Sequence, residues 1–508
     1  MLSDAPDLIS SGDPGSPFSW NRTAISRTIE LSGESRRTKP AAAALFVEAP
    51  KEGPIQDQMR DLAMKPLTTT VAGSLLALAG AGYTLADSTP VPHWTVNTLS
   101  EDDYNDFKVT ALNGDGLMCG YASVPGESWS VQKGFITDGT THTFFETGEA
   151  QYYPMVINDA GVAAGYSNGS EQLVRFEIVD GVPTFTDLGD LGSGGFTPQI
   201  LKINEAGMIT GRVPQGSGVY RAFQWAPESG LLDVMTGTGV EVTDMNEAGE
   251  IVGTTPEGAF HWFEGELQLL PGDDALSIDD AGRVVLRTAS ESETSFHQYE
   301  LAGGGLQEIF TIDSGNETQL MTNDAGQALV IWHIADPDDP FETEPRMANW
   351  HAETGLEQIE LPSSLLQLSC FGFNGSGMGL FVGLDVEYNW QLFFSRGLHN
   401  NGAFTDLSHR VFDLCDQDLY SVVGINDAGQ IALQLDVDFN LEHSALLDMA
   451  RPGDVDGDGS VGVNDLLGVI AAWNEQHTDD CGQATMPDLD GDRLVNVNDL
   501  LICIGDWD

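Results

Sequence analysis

Two acidic segments near the C-terminus carry carboxylates at a spacing that suits a divalent cation. They read DVDGDGSVGVNDLLGVIAAW (454–473) and DLDGDRLVNVNDLLICIGDW (488–507). Calcium takes about six to eight oxygen ligands, which a short loop supplies from carboxylates at positions 1, 3, 5 and 12 and from the carbonyl at position 7. Each segment therefore predicts a calcium-binding loop, and an acidic hairpin without metal is the alternative.

The two loops offer matching ligands and differ at one turn position. The predicted ligands are Asp454, Asp456, Asp458, the Ser460 carbonyl and Asp465 in the first loop, and Asp488, Asp490, Asp492, the Leu494 carbonyl and Asp499 in the second. Arg493 stands where the first loop has Gly459, and positive φ is costly for a residue with a Cβ atom. We therefore expect two calcium ions, with weaker binding in the second loop.

One helix is predicted after each loop, and none precedes either loop. Apolar residues follow an i, i+4, i+7 pattern in both predicted helices. They are Leu466, Ile470 and Trp473 in the first helix, and Leu500, Ile504 and Trp507 in the second. The segment 451–508 is thus predicted to be a small α-helical domain made of a duplicated half EF-hand.

This duplicated half EF-hand resembles a type I dockerin of the kind found in planctomycete secreted proteins. The resemblance implies a cohesin-like partner, contacted by the residues at loop positions 10 and 11. Here those residues are Val463-Asn464 and Val497-Asn498, on helices that carry few basic residues. The alternative is a calcium staple that ends the chain and binds no partner.

Upstream of this module, one five-residue sequence motif recurs eight times between Asn113 and Asn426. Its copies include INDAG (157–161), INEAG (203–207) and MNEAG (245–249), and they follow one another at intervals of 33 to 52 residues. Asn or Asp at the first position and Gly at the fourth are the preferences of a type I turn. A period near 45 residues is typical of a β-propeller blade.

The sequence around each turn predicts four short strands. In the third unit these strands are TFTDLGDL, QILKIN, MITGRV and RAFQWA, with the turn joining the middle two. Eight turns predict a mainly β propeller of eight four-stranded blades over residues 90–450. His93–Leu99 resembles the strand that precedes each turn, so the ring is expected to begin with it and to close after Ser444–Met449. Seven blades are the alternative, because the interval before Asp279 is short. Trp225 and Trp262 are expected to lie in the core.

The phrase FTDLGDLGSGGFTPQILKINEAGMITGR, followed by AFQW, resembles the extracellular HAF-repeat proteins. The resemblance extends over roughly 90–450 and is closest in the third and fourth units. It implies a secreted bacterial propeller of mostly unassigned function, with no catalytic residues to transfer.

Composition restricts the partners. The formal net charge is −57, with 78 acidic and 21 basic residues among 508. Such a charge disfavours nucleic acid and anionic membrane surfaces, and it suits divalent cations or a salty extracellular medium. The five cysteines show no metal-binding spacing, and their pairing stays open; Cys503 is either bonded to Cys481 or free. No segment is predicted to span a membrane.

Residues 64–86 read as a secretory signal peptide. A lone Lys65 precedes an apolar run, and Thr84-Leu85-Ala86 offers small residues for cleavage. Met64 is then the expected start, and 1–63 is a polar extension. The alternative is an uncleaved internal apolar stretch.

No catalytic motif is evident in the sequence. No two histidines are four residues apart and no GxSxG motif occurs, and His333 and His351 are expected on blade strands or loops. The sequence favours a secreted or cell-surface calcium-binding protein whose propeller serves as a binding or surface-assembly module, with an extracellular glycan as one candidate ligand. The alternative is a polysaccharide-degrading propeller enzyme attached to a scaffold through 451–508.

Overall fold

The computed structural model describes most of the chain after residue 93. The described residues are 94–99, 105–124, 132–145, 151–168, 172–192, 194–313, 318–323, 325–335, 343–361, 364–385, 390–395, 404–406, 418–436, 442–449, 453–455, 460–474, 487–489 and 494–507. The predicted extension 1–63 and signal peptide 64–86 lie outside them. Among the described residues, no helix is long and apolar enough to cross a membrane.

The described strands form eight antiparallel sheets of four strands. Blade 1 comprises β2 (Asn105–Leu112), β3 (Met118–Ser123), β4 (Gln132–Thr137) and β5 (His142–Phe145); blade 2 comprises β6 (Gln151–Ile157), β7 (Ala163–Asn168), β8 (Gln172–Val179) and β9 (Val182–Asp190); blade 3 comprises β10 (Gln199–Ile203), β11 (Ile209–Gly216), β12 (Val219–Ala226) and β13 (Gly230–Thr238); blade 4 comprises β14 (Glu241–Met245), β15 (Ile251–Thr255), β16 (Gly258–Phe263) and β17 (Glu266–Leu269). The short interval before Asp279 thus holds a complete sheet.

The second half of the ring repeats the arrangement. Blade 5 comprises β18 (Asp274–Ile278), β19 (Arg283–Ala289), β20 (Glu293–Glu300) and β21 (Leu306–Asp313); blade 6 comprises β22 (Thr318–Thr322), β23 (Ala328–Ala335), β24 (Thr343–His351) and β25 (Gly355–Ile359); blade 7 comprises β26 (Leu365–Phe373), β27 (Gly379–Asp385), β28 (Trp390–Ser395) and β29 (Phe404–Asp406); blade 8 comprises β30 (Asp418–Ile425), β31 (Ile431–Asp436), β32 (Glu442–Met449) and β1 (Trp94–Thr98). The predicted mainly β propeller of four-stranded blades is confirmed.

The ring closes through its two chain ends. The first strand of each of blades 1–7, and β30 in blade 8, line the centre. Each lies against the corresponding strand of the next blade, except that β18 of blade 5 and β22 of blade 6 make little contact. At the seam β1 pairs with β32, with Asn97 opposite Leu446. The closure at Ser444–Met449 was predicted, but the expected role of 93–99 as a turn-preceding strand was wrong. Strand alternation alone does not distinguish the outermost strand from the innermost.

The sequence repeat is offset from the structural blade by one strand. The phrase TFTDLGDL lies in β9, which pairs with β8 and therefore completes blade 2, whereas the sequence unit assigned it to the third repeat. Each blade consequently begins at the strand before its NxxG turn and ends with the strand that opens the next sequence unit. The turn joins the innermost strand to the second strand, which places all eight turns near the centre of the ring.

Apolar side chains pack between neighbouring blades. Phe223 and Trp225 of blade 3 share a cluster with Ala164 and Leu173 of blade 2, and Trp262 packs with blade 3 residues in the same manner. Both tryptophans are buried, as predicted. Because a single sheet cannot bury both of its faces, each blade depends on the next for part of its core.

The C-terminal segment forms two short helices, α1 (Val463–Ala471) and α2 (Val497–Gly505). A small core joins the two halves of the duplicated sequence; it consists of Val455, Val461, Val469, Leu489, Val495 and Cys503. Each helix therefore buries only a narrow face, and the rest of its surface is open.

Candidate metal centre and the central turns of the propeller

The last carboxylate of each predicted calcium loop organises the loop backbone. Asp465 Oδ1 accepts the Val455 N–H at 2.7 Å, and its Oδ2 accepts the Gly462 N–H at 2.7 Å. Asp499 repeats this arrangement with the N–H groups of Leu489 and Asn496, at 2.6 and 2.7 Å. Each of these carboxylates thus accepts hydrogen bonds from two backbone N–H groups of its own loop.

Four of the predicted ligands are buried carboxylates. Asp454 and Asp465 are each 1% exposed, Asp488 is 4% exposed and Asp499 is fully buried. Burying an ionised carboxylate is costly unless it is hydrogen-bonded, paired with a charge or bound to a metal. Hard oxygen donors at this density suit calcium, so the residues present fit that ion.

The remaining side-chain ligands fall outside the described residues. These ligands are Asp456, Asp458, Asp490 and Asp492. Arg493, at the turn position of the second loop, is also outside the described residues, whereas Ser460 and Leu494 are described. Each loop therefore contributes only two carboxylates to the described part of the chain, and within that part no three His, Cys, Asp or Glu side chains converge on one point. The full ligand set stays a prediction.

Cys503 is a free thiol in the core of this module. Burial, with a smaller contribution from the nearby carboxylates of Asp465 and Asp506, raises its pKa to about 11. The thiol is therefore protonated at neutral pH and serves as a small apolar core residue. Cys481 lies outside the described residues.

The outer faces of the two helices expose apolar side chains. Val463 is 61% exposed and Leu467 is 55% exposed on α1, and the same surface includes Ile470 and Trp473. The matching residues Val497, Ile504 and Trp507 are exposed on α2 and at its end. The predicted apolar stripe therefore does not form one buried face. Leu466 and Leu500 pack against the core, but the last two members of each stripe face solvent.

All eight NxxG turns share one geometry. In each turn the Gly N–H donates to the carbonyl of the first residue, at 2.9 to 3.2 Å, and the glycine has positive φ. The side-chain Oδ1 of the first residue accepts the N–H of the residue four positions later, as Asn204 does from Met208 at 2.8 Å. Asparagine and aspartate both provide this acceptor, which explains why either can open the turn.

Asparagine also connects neighbouring blades. Asn158 Nδ2 donates to the Asn204 carbonyl at 3.0 Å, and Asn426 Nδ2 closes the circle by donating to the Asn113 carbonyl at 3.1 Å. We call this set the asparagine ring; its donors are Asn113, Asn158, Asn204, Asn246, Asn323, Asn374 and Asn426. Aspartate has no N–H to donate, so the ring lacks a donor at Asp279.

Carboxylates one residue further along form a second link. Glu205 Oε1 accepts the Asp159 N–H at 2.7 Å, and Glu247 Oε2 accepts the Glu205 N–H at 2.8 Å. Partial burial raises the pKa of Glu247, and the neighbouring charges of Asp280 and Glu205 raise it further. These central carboxylates therefore hold backbone amides of the preceding blade.

The two histidines singled out in the sequence lie on blade strands. His333 Nε2, in β23, accepts the Leu368 N–H at 3.2 Å, and His351 Nδ1, at the end of β24, accepts the Glu353 N–H at 3.2 Å. Both rings therefore have backbone partners.

His261 lies in β16, at the position that Gln224 holds in β12. Its Nε2 is 3.4 Å from Glu250 Oε1, which is long for a hydrogen bond, and it has no other partner among the described residues. Burial lowers the pKa of His261, and the attraction of the Glu250 carboxylate opposes this only in part. The folded protein thus favours the neutral imidazole.

We expect the substitution His261→Gln to remove part of the acid sensitivity of the propeller. The unfolded chain takes up a proton as the pH falls below about 6.5, while folded His261 resists it, so wild-type stability is lost as the pH falls through that value. Glutamine does not titrate. Melting temperatures measured from pH 7.5 to 5 should therefore fall less steeply in the variant, and parallel profiles for the two proteins would contradict the assignment.

A comparison with protein families found a match in the C-terminal segment. Residues 452–505 match the family model described as Dockerin type I domain. The C-terminal module is thus a dockerin type I domain, as its resemblance implied, and such domains are calcium-binding. The chain matches none of the curated proteins with which it was compared.

Several solved structures are similar in fold. Polysaccharide lyase Uly1 is 9% identical over 71% of this chain and 100% of its own, with a TM-score of 0.39. Oligogalacturonate lyase in complex with manganese is 12% identical over 72% and 98%, with a TM-score of 0.38. The β-propeller domain of the Trilobed protease from Pyrococcus furiosus is 8% identical over 66% and 80%, with a TM-score of 0.33. Likeness at this level carries no inference about activity.

Proposed function

We propose that this chain is a secreted or cell-surface calcium-binding protein that docks to a cohesin-like partner through its C-terminal module. The propeller, of the bacterial HAF-repeat type, serves as the binding or surface-assembly module that is held in place. The observation that carries the proposal is the exposed apolar surface of α1 and α2, which includes Val463, Leu467 and Ile470. Contiguous patches of exposed apolar side chains are uncommon on soluble proteins, and where they occur they usually mark an interaction site.

Calcium has a defined role in this proposal. The carboxylates of Asp454 and Asp465 would hold the first ion and those of Asp488 and Asp499 the second, together with the loop ligands named from sequence. Bound calcium supplies the positive charge that lets these buried carboxylates remain ionised. Because Asp465 and Asp499 also cap the starts of α1 and α2, an ordered loop fixes the direction of each helix and hence its exposed face.

The position of the exposed residues supports recognition by either copy. Val463 and Val497 occupy loop position 10, where the resemblance places partner contacts, and Asn464 and Asn498 follow them. Ile470 and Ile504 extend the same exposed surfaces along each helix. Since the two copies present corresponding residues, we propose that one face is sufficient for docking.

The enzymatic alternative receives less support. The carboxylates closest to the centre, such as Glu205 and Glu247, accept backbone N–H bonds from the preceding blade, which gives them a role in joining blades. A hydrolase needs two carboxylates free to flank a glycosidic bond. We therefore retain the binding module as the proposed function.

Docking is tested by capture of purified cohesin modules with the full chain as bait. We expect capture in calcium and none in chelator. The variants Ile470→Asp/Trp473→Asp and Ile504→Asp/Trp507→Asp each alter one exposed face and should retain capture, whereas the combined variant should lose it by more than about tenfold, because charges would enter an apolar interface. Leu269→Asp changes an exposed residue of the propeller and serves as the control. Equal capture by the combined variant and wild type would rule out this face.

A further inference from the structure

A cavity of about 330 Å³ opens on the central side of blades 5 and 6. The inner strands β18 and β22 form much of its wall, and Lys202 and Asp244 of blades 3 and 4 lie at its edge. Among the eight neighbouring pairs of inner strands, β18 and β22 make the loosest contact. The cavity also lies where Asp279 interrupts the asparagine ring, so the Asn323 carbonyl receives no side-chain donor from blade 5. A departure from the repeat thus coincides with an opening between blades.

One polar side chain in the wall of this cavity presents its amide to the open space. Gln298 is only 7% exposed and lines the cavity, and its side-chain amide makes no hydrogen bond to any described residue, although its N and O atoms are not themselves buried. The equivalent Gln224 in blade 3 donates its amide N–H to the Gly249 carbonyl at 2.8 Å. An amide that faces a cavity without a protein partner is hydrogen-bonded by water or by a ligand, so both its donor and its acceptor are available to a bound molecule.

Further polar groups face the same space. Ser277 Oγ accepts the Thr322 hydroxyl at 2.7 Å, which leaves the Ser277 hydroxyl proton available for donation. The Arg283 Nε donates to Asp279 Oδ2, and its Nη2 lies so close to Gly326 that an added Cβ there would be 2.6 Å away. The wall therefore combines amide, hydroxyl and guanidinium donors with hydroxyl and carbonyl acceptors.

The charges around the cavity cancel. Lys202 pairs with Asp244 at 2.8 Å, and Arg283 pairs with Asp279. No unpaired cation is left to attract an anion, and the net charge of −57 repels anionic ligands from a distance. The apolar side of the cavity comes from Leu276, Leu320 and Trp350. Such a lining suits a neutral ligand that has hydroxyl groups on some faces and C–H groups on others.

From these observations we infer that the cavity between blades 5 and 6 binds one or two rings of a neutral saccharide. Its volume is at the lower end of ordinary ligand sites, which matches a short sugar segment. Gln298 would exchange hydrogen bonds with ring hydroxyls, and Ser277, Thr322 and the Arg283 guanidinium would bind others. The inference rests on the proposed role of the propeller as a binding module and assigns that module a site and a ligand class.

The test is saturation-transfer NMR and calorimetry on the full chain in calcium. The probes are the neutral disaccharides cellobiose, laminaribiose, mannobiose and galactobiose, with digalacturonate as the anionic comparison. We expect at least one neutral probe to bind with a dissociation constant of about 1 mM or tighter. Gln298→Leu should weaken that binding by about tenfold or more, because the amide is then lost from the wall.

Gln307→Leu is the matched control, since Gln307 is exposed on β21 directly opposite Gln298 in the sheet. It should bind as the wild type does, and Gln298→Leu should melt at about the wild-type temperature because leucine is of similar size and no hydrogen bond within the described protein is lost. Three results overturn the inference: no neutral probe binds, digalacturonate binds more tightly than every neutral probe, or Gln298→Leu binds unchanged. Cohesin capture depends on α1 and α2 and is measured separately, so failure here leaves the docking proposal standing.

Discussion

Chelation of calcium is expected to unfold α1 and α2 while the propeller stays folded. Without the ion, Asp454 and Asp465 are two buried carboxylates of like charge, and the module has only a small core to oppose their repulsion. Metal-binding free energy is then folding free energy. With calcium at about 1,000 times its dissociation constant, the ion contributes about 4 kcal/mol, so its removal should speed amide exchange in both helices by about a thousandfold.

Hydrogen–deuterium exchange of the full chain measures this effect by segment. Peptides covering 463–471 and 497–505 should lose protection in chelator, while peptides from β11 and β15 should exchange at the same rate in both conditions. Magnesium in place of calcium should restore little protection, because it favours a rigid octahedral shell with several waters. If the amides of both helices remain equally protected from exchange in chelator, the calcium assignment is wrong.

Substitutions separate the two loops. Asp465→Ala should abolish binding at the first loop and Asp499→Ala at the second, because each aspartate also holds two backbone N–H groups of its loop. Arg493→Gly should tighten the second, weaker site by removing a side chain from a position that favours positive φ. Asp506→Asn is the control: it removes a charge from the same module but not from a predicted loop. Calorimetric titration of these variants gives the number of sites and their order of affinity.

The sequence predicted the C-terminal module well because local spacing determines the loop. The dockerin-like repeat and the single helix after each loop both depend on residues within about a dozen positions. The solvent exposure of Ile470 and Trp473 could not be predicted in the same way. An i, i+4, i+7 pattern identifies an apolar surface but not what covers it, and the narrow core between the two copies buries Val469 and Cys503 instead.

The propeller was predictable for a similar reason, and its central features were not. Turn glycines with positive φ and strand alternation are local, so the eight NxxG turns predicted a propeller of seven or eight four-stranded blades. Donation from Asn158 to the carbonyl of Asn204 joins residues 46 positions apart and exists only in the closed ring. The sequence signal for the asparagine ring was the strong preference for asparagine over aspartate at the first position of the turns, which a type I turn alone does not require. The single exception, Asp279, is where the cavity opens.

Loss of one asparagine donor should destabilise the propeller substantially. Asn204 is almost fully buried; its Nδ2 donates to the carbonyls of Asn246 and Glu247, at 3.3 and 3.2 Å, and its Oδ1 accepts the Met208 N–H. Asn204→Ala leaves these buried groups unsatisfied and should cost roughly 3 kcal/mol. Calorimetry should show a melting temperature lower by several degrees, whereas Asn168→Ala, at an exposed strand end, should change it little.

Aspartate at position 204 separates the two functions of the asparagine side chain, which are donation to the next blade and acceptance within the turn. Asn204→Asp keeps the acceptor for Met208 but places a buried carboxylate against two carbonyls, so it should destabilise more than alanine does. Blade 5 tolerates Asp279 because Arg283, four residues later, donates to it and lies against the next turn glycine. Met208 lies against Gly249 in the same manner, so Asn204→Asp/Met208→Arg should recover part of the loss. If the double variant melts no higher than Asn204→Asp, the tolerance of Asp279 comes from the looser packing of blades 5 and 6 and not from its arginine partner.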